Sequence, residues 1–209
     1  MEAIVKQTNG AYVIIPATPA GLLTGDQLAV IAELVKKGAG LAKLTTAQRI
    51  GIVTTEDQIE NVRQELAAAG LKIGPVGDVV RNVKACPGAL CPKAKQDALK
   101  HALELDPQVS GQEMPFAFKI SISGCPNNCM EVRSADLGFL GTPSGYQVFL
   151  GGRGGGTQLL GEKIAEGVPP EEILPWVQHV IAVYKEKASK RERLCSVVKR
   201  VGLEPFKKP

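Results

Sequence analysis

Four cysteines arranged in two close pairs carry the clearest chemistry in this sequence. The first pair reads Cys-x4-Cys in ACPGALCP, the second reads Cys-x3-Cys in SGCPNNCM, and 33 residues lie between the pairs. Two thiolates at such a spacing can bind one metal centre from a single stretch of chain. Two pairs therefore supply the four sulfurs that a tetrahedral zinc ion or an iron–sulfur cluster needs. The ligands predicted for this centre are Cys86, Cys91, Cys125 and Cys129.

The composition narrows the classes of protein to which the chain can belong. Of its 209 residues, 44% are hydrophobic and 22% are charged, which is typical of a soluble globular protein. The first residues hold no apolar run of signal-peptide length, and no stretch of about 20 apolar residues occurs, so we expect a cytoplasmic protein with no membrane partner. Thiols stay reduced in the cytoplasm, which disfavours the alternative of two disulfides. A net charge of +4 and only nine aromatic residues indicate no nucleic-acid partner.

The elements that position these cysteines fall into two parts. The sequence pattern of the first part predicts a β-α-β-α arrangement. Thr24 with Gln27 is expected to form the capping box of its first helix. Its predicted elements are a strand at 11–16, a helix at 25–37, a strand at 42–54 and a helix between Thr55 and Gly70. The glycine- and proline-rich stretch 72–78 predicts a boundary, so we place the domains at 1–74 and 75–209.

The second part predicts helices and strands around the cysteine pairs. The predicted elements are a helix from Pro92 to Leu103, a loop at 104–115, strands at 116–123, 135–141 and 145–152, and helices near 158–166 and at 170–187. One pair precedes an apolar helix and the other follows an apolar strand, so the centre lies within an α/β core. Zinc ribbons more often use Cys-x2-Cys knuckles in small polar modules, so this setting favours a cluster, with zinc still open.

Several segments resemble the sirohaem- and [4Fe-4S]-containing sulfite and nitrite reductase family. They are RNVKACPG, KISISGCPNNC, VFLGGRGGG and RERLCSVVKRVGL, in this order, preceded by TPAGLLTGDQL and LTTAQ, which resemble the family's ferredoxin-like half-domain. The resemblance implies an α+β fold, with the half-domain over 1–74 and an α/β sirohaem- and [4Fe-4S]-binding domain over 75–209. It also implies an oxidoreductase that reduces sulfite to sulfide, or nitrite to ammonia, with six electrons.

The resemblance assigns the four cysteines to one [4Fe-4S] cluster. In the family the last cysteine of the second pair also bridges to the sirohaem iron, and here that residue is Cys129. The substrate then binds on the opposite face of the haem. A thiolate shared by the two cofactors couples them, so that electrons reach the substrate one at a time.

Cations are expected around a haem with many carboxylates and an anionic substrate. The resemblance gives Arg81 the role of an arginine that contacts haem and substrate, and gives Lys119 that of one lysine in a Lys-x-Lys pair. The first lysine of that pair is replaced by Ala117, for which the sequence offers no substitute. An expected arginine is replaced by Ala47, and we predict that Arg49 substitutes for it because a strand over 42–54 places both on one face.

Further cofactor contacts are predicted in three short segments. GGRGGG offers backbone N–H groups and one arginine for haem carboxylates, or else is a turn at a strand–helix junction. The two asparagines of GCPNNC bind cluster sulfurs or cap a turn. The predicted contacts are Thr45, Thr46 and Gln48 of the threonine-rich segment, Asn127 and Asn128, and Gly152, Arg153 and Gly154.

Other functions and partners stay open at this point. A non-catalytic iron–sulfur electron-transfer protein, or a subunit of a larger redox complex, is the alternative that Ala47 and Ala117 favour, and a structural zinc protein is a third. For a reductase we expect a small oxyanion substrate, an electron-donor protein such as a ferredoxin, and possible pairing as a homodimer. Cys195 lies at an apolar position of a predicted helix and is interpreted as a buried structural thiol.

Overall fold

A computed structural model describes residues 1–38 and 40–208 of the chain. These residues form two compact units, Met1–Val76 and Gly77–Pro209. Each unit contains its own sheet and helices, and each is described by itself. The mixture of sheets and helices confirms the predicted α+β fold class.

The first unit is an antiparallel four-stranded sheet with two helices. Its strands, in chain order, are β1 (Ile4–Lys6), β2 (Tyr12–Ile14), β3 (Ala42–Leu44) and β4 (Ile50–Thr54), and its helices are α1 (Gly25–Lys37) and α2 (Ile59–Ala68). The strand order is β1-β2-β4-β3. The helices bury Ile31 and Leu66 against Ile14 and Ile52 of the sheet. The predicted capping box is confirmed, since the Thr24 side chain accepts from the backbone N–H of Gln27.

The predicted strand over 42–54 is wrong. Residues 42–44 and 50–54 are separate antiparallel strands, and the residues between them form a turn in which Gln48 has a φ of 58°. Ala47 and Arg49 both lie in this turn. The alternation of side chains along a strand therefore does not place them on one face, as the predicted strand required. The reversal lets Leu44 pair with Ile50, which a single strand cannot do.

The second unit is a mixed five-stranded sheet with three helices. Its strands are β5 (Lys84–Ala85), β6 (Ile120–Ser123), β7 (Leu137–Thr142), β8 (Gly145–Leu150) and β9 (Glu162–Val168), and its helices are α3 (Ala98–Val109), α4 (Ile173–Lys187) and α5 (Leu194–Val201). The strand order follows the chain order. Strands β5, β6 and β7 are parallel, whereas β8 and β9 pair antiparallel.

Two further predictions in this unit are wrong, and two are confirmed. Helix α3 begins at Ala98 rather than Pro92, because the side chain of Asp97 caps it by accepting from the N–H of Lys100, 3.2 Å away. It then continues through much of the predicted loop at 104–115. The predicted helix near 158–166 is largely strand β9, which pairs along β8. The strands of the β7–β8 hairpin and helix α4 lie where they were predicted.

The two faces of this sheet differ in chemistry. Phe118, Ile120 and Ile122 point to one face, where Phe118 packs on Tyr184 of α4 with ring centroids 6.0 Å apart. Side chains alternate along a strand, so the residues between these three point to the other face. Those residues are Lys119, Ser121 and Ser123. One face is therefore apolar core, and the opposite face of β6 is polar.

Candidate functional site

The two cysteine pairs meet at the carboxyl ends of two neighbouring parallel strands. Cys86 directly follows β5, and Cys125 comes two residues after the end of β6. The N–H of Cys86 donates to the carbonyl of Ile122, 3.2 Å away, and the N–H of Gly124 donates to the Sγ of Cys86, 3.1 Å away. The strand pairing therefore brings the first loop against the second.

A second set of hydrogen bonds fixes the segment that carries Cys91. The carbonyl of Gly124 accepts from the N–H groups of Lys95 and Gln96, at 2.8 and 3.0 Å. The Gln96 amide in turn donates to the carbonyl of Thr142 on β7, 2.8 Å away. Cys91 is thus held in a loop whose far end is bonded to the residue before Cys125.

The loop of the second pair has a left-handed turn. Asn128 has a φ of 54°, its N–H donates to the carbonyl of Cys125, and its side-chain oxygen accepts from the N–H of Val132, 2.9 Å away. The geometry therefore shows the turn-capping alternative for Asn128. Asn127 is exposed between the two cysteines. Its predicted contact with the cofactor stays a prediction.

The donor set of these loops fits an iron–sulfur cluster. All five cysteines of the described residues are free; Cys86 and Cys125 are buried, and Cys129 is exposed. A [4Fe-4S] cluster takes one thiolate on each of its four irons, and the two loops together supply four free thiols.

Arg81 and Lys119 lie next to each other on adjacent backbone segments. The N–H of Arg81 donates to the carbonyl of Phe118, the residue before Lys119, at 2.8 Å. The guanidinium of Arg81 is half-buried, and its Nε donates to the carbonyl of Gly77, 3.2 Å away. Burial lowers the pKa of this guanidinium, and the charge of Asp78 partly offsets that effect. The structure brings together these two predicted substrate cations.

A buried carboxylate, which the sequence did not reveal, supports Lys119. The Oδ2 of Asp136 accepts from the backbone N–H of Lys119, 2.9 Å away. Burial raises the pKa of Asp136 to about 7, and the N–H bond and the charges of Lys119 and Arg193 act against this rise. The carbonyl of Asp136 also accepts from the N–H of Gly151. Asp136 therefore ties the start of β6 to the loop after β8.

Lys84 is a further cation, which the sequence did not single out. It lies on β5, where it pairs with Ser121 of β6, and its side chain is half-buried. Burial lowers the pKa of its ammonium, Glu131 acts in the opposite sense, and Lys119 adds to the lowering. Its position two residues before Cys86 indicates a role at this site only once β5 is known to pair with β6.

The GGRGGG segment connects two strands rather than a strand and a helix. The N–H of Arg153 donates to the carbonyl of Leu159, and the N–H of Leu159 donates to the carbonyl of Arg153, both at 2.9 Å. A Cβ at Gly152 would lie 2.2 Å from the carbonyl oxygen of Arg133, so this position requires glycine. The predicted strand–helix junction is wrong. The predicted haem contacts of Gly152, Arg153 and Gly154 stay predictions.

The threonine-rich segment belongs to the first unit. The hydroxyl of Thr45 donates to the carbonyl of Arg49 and accepts from its N–H, at 3.0 and 3.2 Å. The guanidinium of Arg49 is buried, and its Nη1 donates to the carbonyl of Pro75, 3.0 Å away. Thr45, Gln48 and Arg49 line a cavity of about 480 Å³ in this unit. Thr46 is exposed, and the roles of these residues in cofactor binding or catalysis are not tested by the fold.

Both parts of the chain match known protein families. Residues 76–209 match the family described as "Nitrite and sulphite reductase 4Fe-4S domain", and residues 5–69 match the "Nitrite/Sulfite reductase ferredoxin-like half domain". The chain belongs to the nitrite and sulfite reductase family. The predicted half-domain and the identification of an oxidoreductase are thereby confirmed. A [4Fe-4S] cluster and sirohaem are the cofactors that membership of this family implies.

This chain matches different shares of the lengths of its relatives. A "Sulfite reductase, assimilatory-type" of Nitratidesulfovibrio vulgaris is 31% identical over 98% of this chain and 94% of its own. A "Nitrite reductase [NAD(P)H]" of Emericella nidulans is 32% identical over 90% of this chain, which spans only 17% of that protein. A "Cobalt-factor III methyltransferase" of Priestia megaterium is 30% identical over 96% of this chain and 39% of its own. The same module therefore also occurs within longer proteins of different names.

A solved structure supports the fold of this family member. A dissimilatory sulfite reductase I superposes on 95% of this chain and 70% of its own with a TM-score of 0.84. The two sequences are 17% identical, so this likeness concerns the fold alone. In the described parts of the chain, 1–38 and 40–208, no helix is long and apolar enough to cross a membrane.

A substitution at Gly124 tests the contact between the two cysteine loops. A Cβ at this position would lie 2.5 Å from the carbonyl oxygen of Gln96 and 3.5 Å from the Sγ of Cys86. We expect Gly124→Ala to separate the loops, at a cost of about 1–3 kcal/mol for overpacking, and to lower the iron content per chain. Gly25→Ala is the matched control, because a Cβ there meets nothing within 4 Å. Equal iron content in both variants would contradict the arrangement of the loops.

Proposed function

We propose that this protein catalyses the sirohaem- and [4Fe-4S]-dependent six-electron reduction of sulfite to sulfide, with nitrite as the alternative substrate. The observation that carries the proposal is the pairing of β5 with β6. The four free thiols follow the carboxyl ends of these two strands. Arg81 and Lys119 precede the same two strands, at their amino ends. Resemblance over nearly the full length of an assimilatory-type sulfite reductase favours sulfite.

The chain would hold the two cofactors through its cysteines and its cations. Cys86, Cys91, Cys125 and Cys129 would bind the cluster, and Cys129, which is exposed, would be the thiolate that the cluster shares with the haem. Arg81 and Arg153 supply positive charge for the haem carboxylates. When bound, the cluster and sirohaem would supply electrons one at a time for the reduction of the substrate.

Arg81 and Lys119 would bind the substrate, and Lys119 would supply its protons. Their cationic groups, of which that of Arg81 is half-buried, bind the oxyanion and stabilise its negative charge. The ammonium of Lys119 donates protons as oxygen leaves as water. Asp136 acts through Lys119, because it accepts from the backbone N–H of that residue and so positions the start of β6. An electron donor such as a ferredoxin and a homodimeric state are parts of this proposal.

A non-catalytic electron-transfer role is the second candidate. Two observations favour it: Ala117 stands where the family resemblance expects a lysine, and the guanidinium of Arg49 is bonded to the carbonyl of Pro75. The match to a methyltransferase of Priestia megaterium, of which this chain spans 39%, adds to these observations. In this role the cysteines hold the cluster, and no substrate is reduced on the chain itself.

Absorption spectra and turnover separate the two candidates. We expect protein purified without oxygen to show the Soret band of sirohaem together with cluster absorption, and to oxidise reduced viologen faster with sulfite than with nitrite. Replacing Arg81 by glutamine should lower kcat/KM about 100-fold, by removing one charged donor. Lys199→Gln is the control, because Lys199 is exposed on α5. Cluster absorption without a macrocycle would refute the reductase and favour the electron-transfer protein.

A further inference from the structure

We propose that Lys84 is a third anion-binding cation of this site, beside Arg81 and Lys119, and takes the place of the lysine that Ala117 replaces. This inference rests on the proposed function and deepens it, because it names a further residue that contacts the substrate. The ligand chemistry is that of a small oxyanion. A haem carboxylate has the same chemistry, and the experiment below distinguishes the two sources.

The strand register places Lys84 beside Lys119. Lys84 pairs with Ser121 on the neighbouring parallel strand, so their side chains point to the same face of the sheet. Lys119 lies two residues before Ser121 and therefore shares that face. With a rise of about 3.3 Å per residue and strands about 4.8 Å apart, the Cα atoms of Lys84 and Lys119 are about 8 Å apart. Two lysine side chains at this separation can bind one small anion.

The position of Ala117 supports the proposal that Lys84 supplies the cation expected at position 117. Phe118, between Ala117 and Lys119, is fully buried on the apolar face and forms a bridge with Val80. Ala117 therefore lies on the polar side with Lys119, one step further from the cysteines. Lys84 lies near Lys119 on the adjacent strand, β5. The second lysine beside Lys119 can come from position 117 or from the adjacent strand, and in this chain it comes from β5.

The surroundings of Lys84 have an excess of positive charge and an unused hydroxyl. Glu131 and Lys119 are the charged groups whose fields act on it, so two ammonium groups face one carboxylate. The hydroxyl of Ser121, which lies between the two lysines on this face, is buried and has no hydrogen-bond partner among the residues that the structure describes. A bound anion would accept hydrogen bonds from these groups and balance the excess charge.

This arrangement favours a substrate with two negative charges. Sulfite carries up to two, whereas nitrite carries one, and the attraction between charges grows with their product. Loss of Lys84 should therefore weaken sulfite binding more than nitrite binding. The structure thus assigns to Lys84 a contribution to the preference between the two substrates.

The test measures anion affinity in the holoprotein rather than turnover. Sulfite and nitrite dissociation constants are obtained from the shift of the Soret band in the wild type, Lys84→Gln and Lys84→Arg. We expect Lys84→Gln to weaken sulfite binding at least tenfold and nitrite binding less, and Lys84→Arg to remain within a few-fold of the wild type, since it keeps the charge. Lys100→Gln is the matched control, because it removes an exposed lysine of α3 that pairs with Glu104.

A rescue variant and the haem content complete the test. Ala117→Lys, introduced into the Lys84→Gln chain, should restore sulfite affinity if the two positions serve the same anion. Unchanged sulfite affinity in Lys84→Gln would overturn the inference while leaving the reductase intact. A fall in sirohaem content without a change in the affinity of the remaining holoprotein would assign Lys84 to a haem carboxylate and would also overturn it. A wild type with no sirohaem and no sulfite-dependent shift would instead refute the proposed function.

Discussion

Cys125→Ser is expected to abolish the iron–sulfur cluster, with iron and acid-labile sulfide falling to background in the purified chain. Each iron of a [4Fe-4S] cluster needs its own thiolate, and a serine hydroxyl stays protonated near neutral pH and is a poor ligand. Cys125 is 8% exposed, so water has little access to replace the missing sulfur. Because the loop of Cys125 is bonded to the loop of Cys86 through Gly124, the loss of one ligand weakens the position of the others.

Cys195→Ser is the matched control for this prediction. Cys195 is also 8% exposed and free, but it lies on α5 and belongs to neither cysteine loop. Both variants are purified without oxygen, and their visible absorption, iron and sulfide are compared with the wild type. Full cluster content in Cys125→Ser, or equal loss in Cys195→Ser, would contradict the assignment of the four ligands.

The cysteine ligands could be predicted from the sequence because their spacing is local. Cys-x4-Cys and Cys-x3-Cys are visible without any knowledge of the fold. The hydrogen bonds that join the loops are not local, since the carbonyl of Gly124 accepts from Lys95 and Gln96 only after β5 has paired with β6. The sequence therefore predicts which residues bind the cluster, and the structure adds how the loops that carry them are held together.

The wrong predictions have physical causes of the same kind. Pro92 is a good first helical residue, but Asp97 caps the helix five residues later with a side-chain hydrogen bond. Residues 162–168 have no strong preference of their own, and pairing along β8 decides that they form a strand. Lys84 was missed because β5 is two residues long, and the face of so short a strand is defined only by its partner.

The buried carboxyl of Asp136 is expected to make the stability of the protein fall as pH rises. Its folded pKa is about 7, against 3.8 for the ordinary group, because burial disfavours the charged form. A group with a raised folded pKa contributes its full stability below the unfolded pKa and loses it as pH rises through the folded pKa. The shift of about three units corresponds to at most about 4 kcal/mol, lost between about pH 4 and pH 8.

Asp136→Asn removes this dependence while keeping the hydrogen bond. The asparagine oxygen can still accept from the N–H of Lys119, 2.9 Å away in the wild type, but it does not ionise. We expect the variant to be more stable than the wild type by about 1.5 kcal/mol at pH 5 and by about 4 kcal/mol at pH 8, as measured by urea midpoints at both pH values. Asp57→Asn changes an exposed carboxyl of the first unit whose pKa is lowered by hydrogen bonds from Gln58 and Thr55, so it should leave the difference between the midpoints at pH 5 and pH 8 unchanged.

The same comparison shows how far the neighbouring cations compensate for the buried charge. Lys119 and Arg193 both favour ionised Asp136, while Tyr184 is the neutral group of α4 within reach of its field. If these cations fully offset the burial, wild type and Asp136→Asn will show the same midpoints at pH 5 and pH 8, and the expected loss of stability is refuted. If the variant gains more stability at pH 8 than at pH 5, the carboxyl is retained at a cost to the fold. A position that costs stability in this way fits a role in placing Lys119.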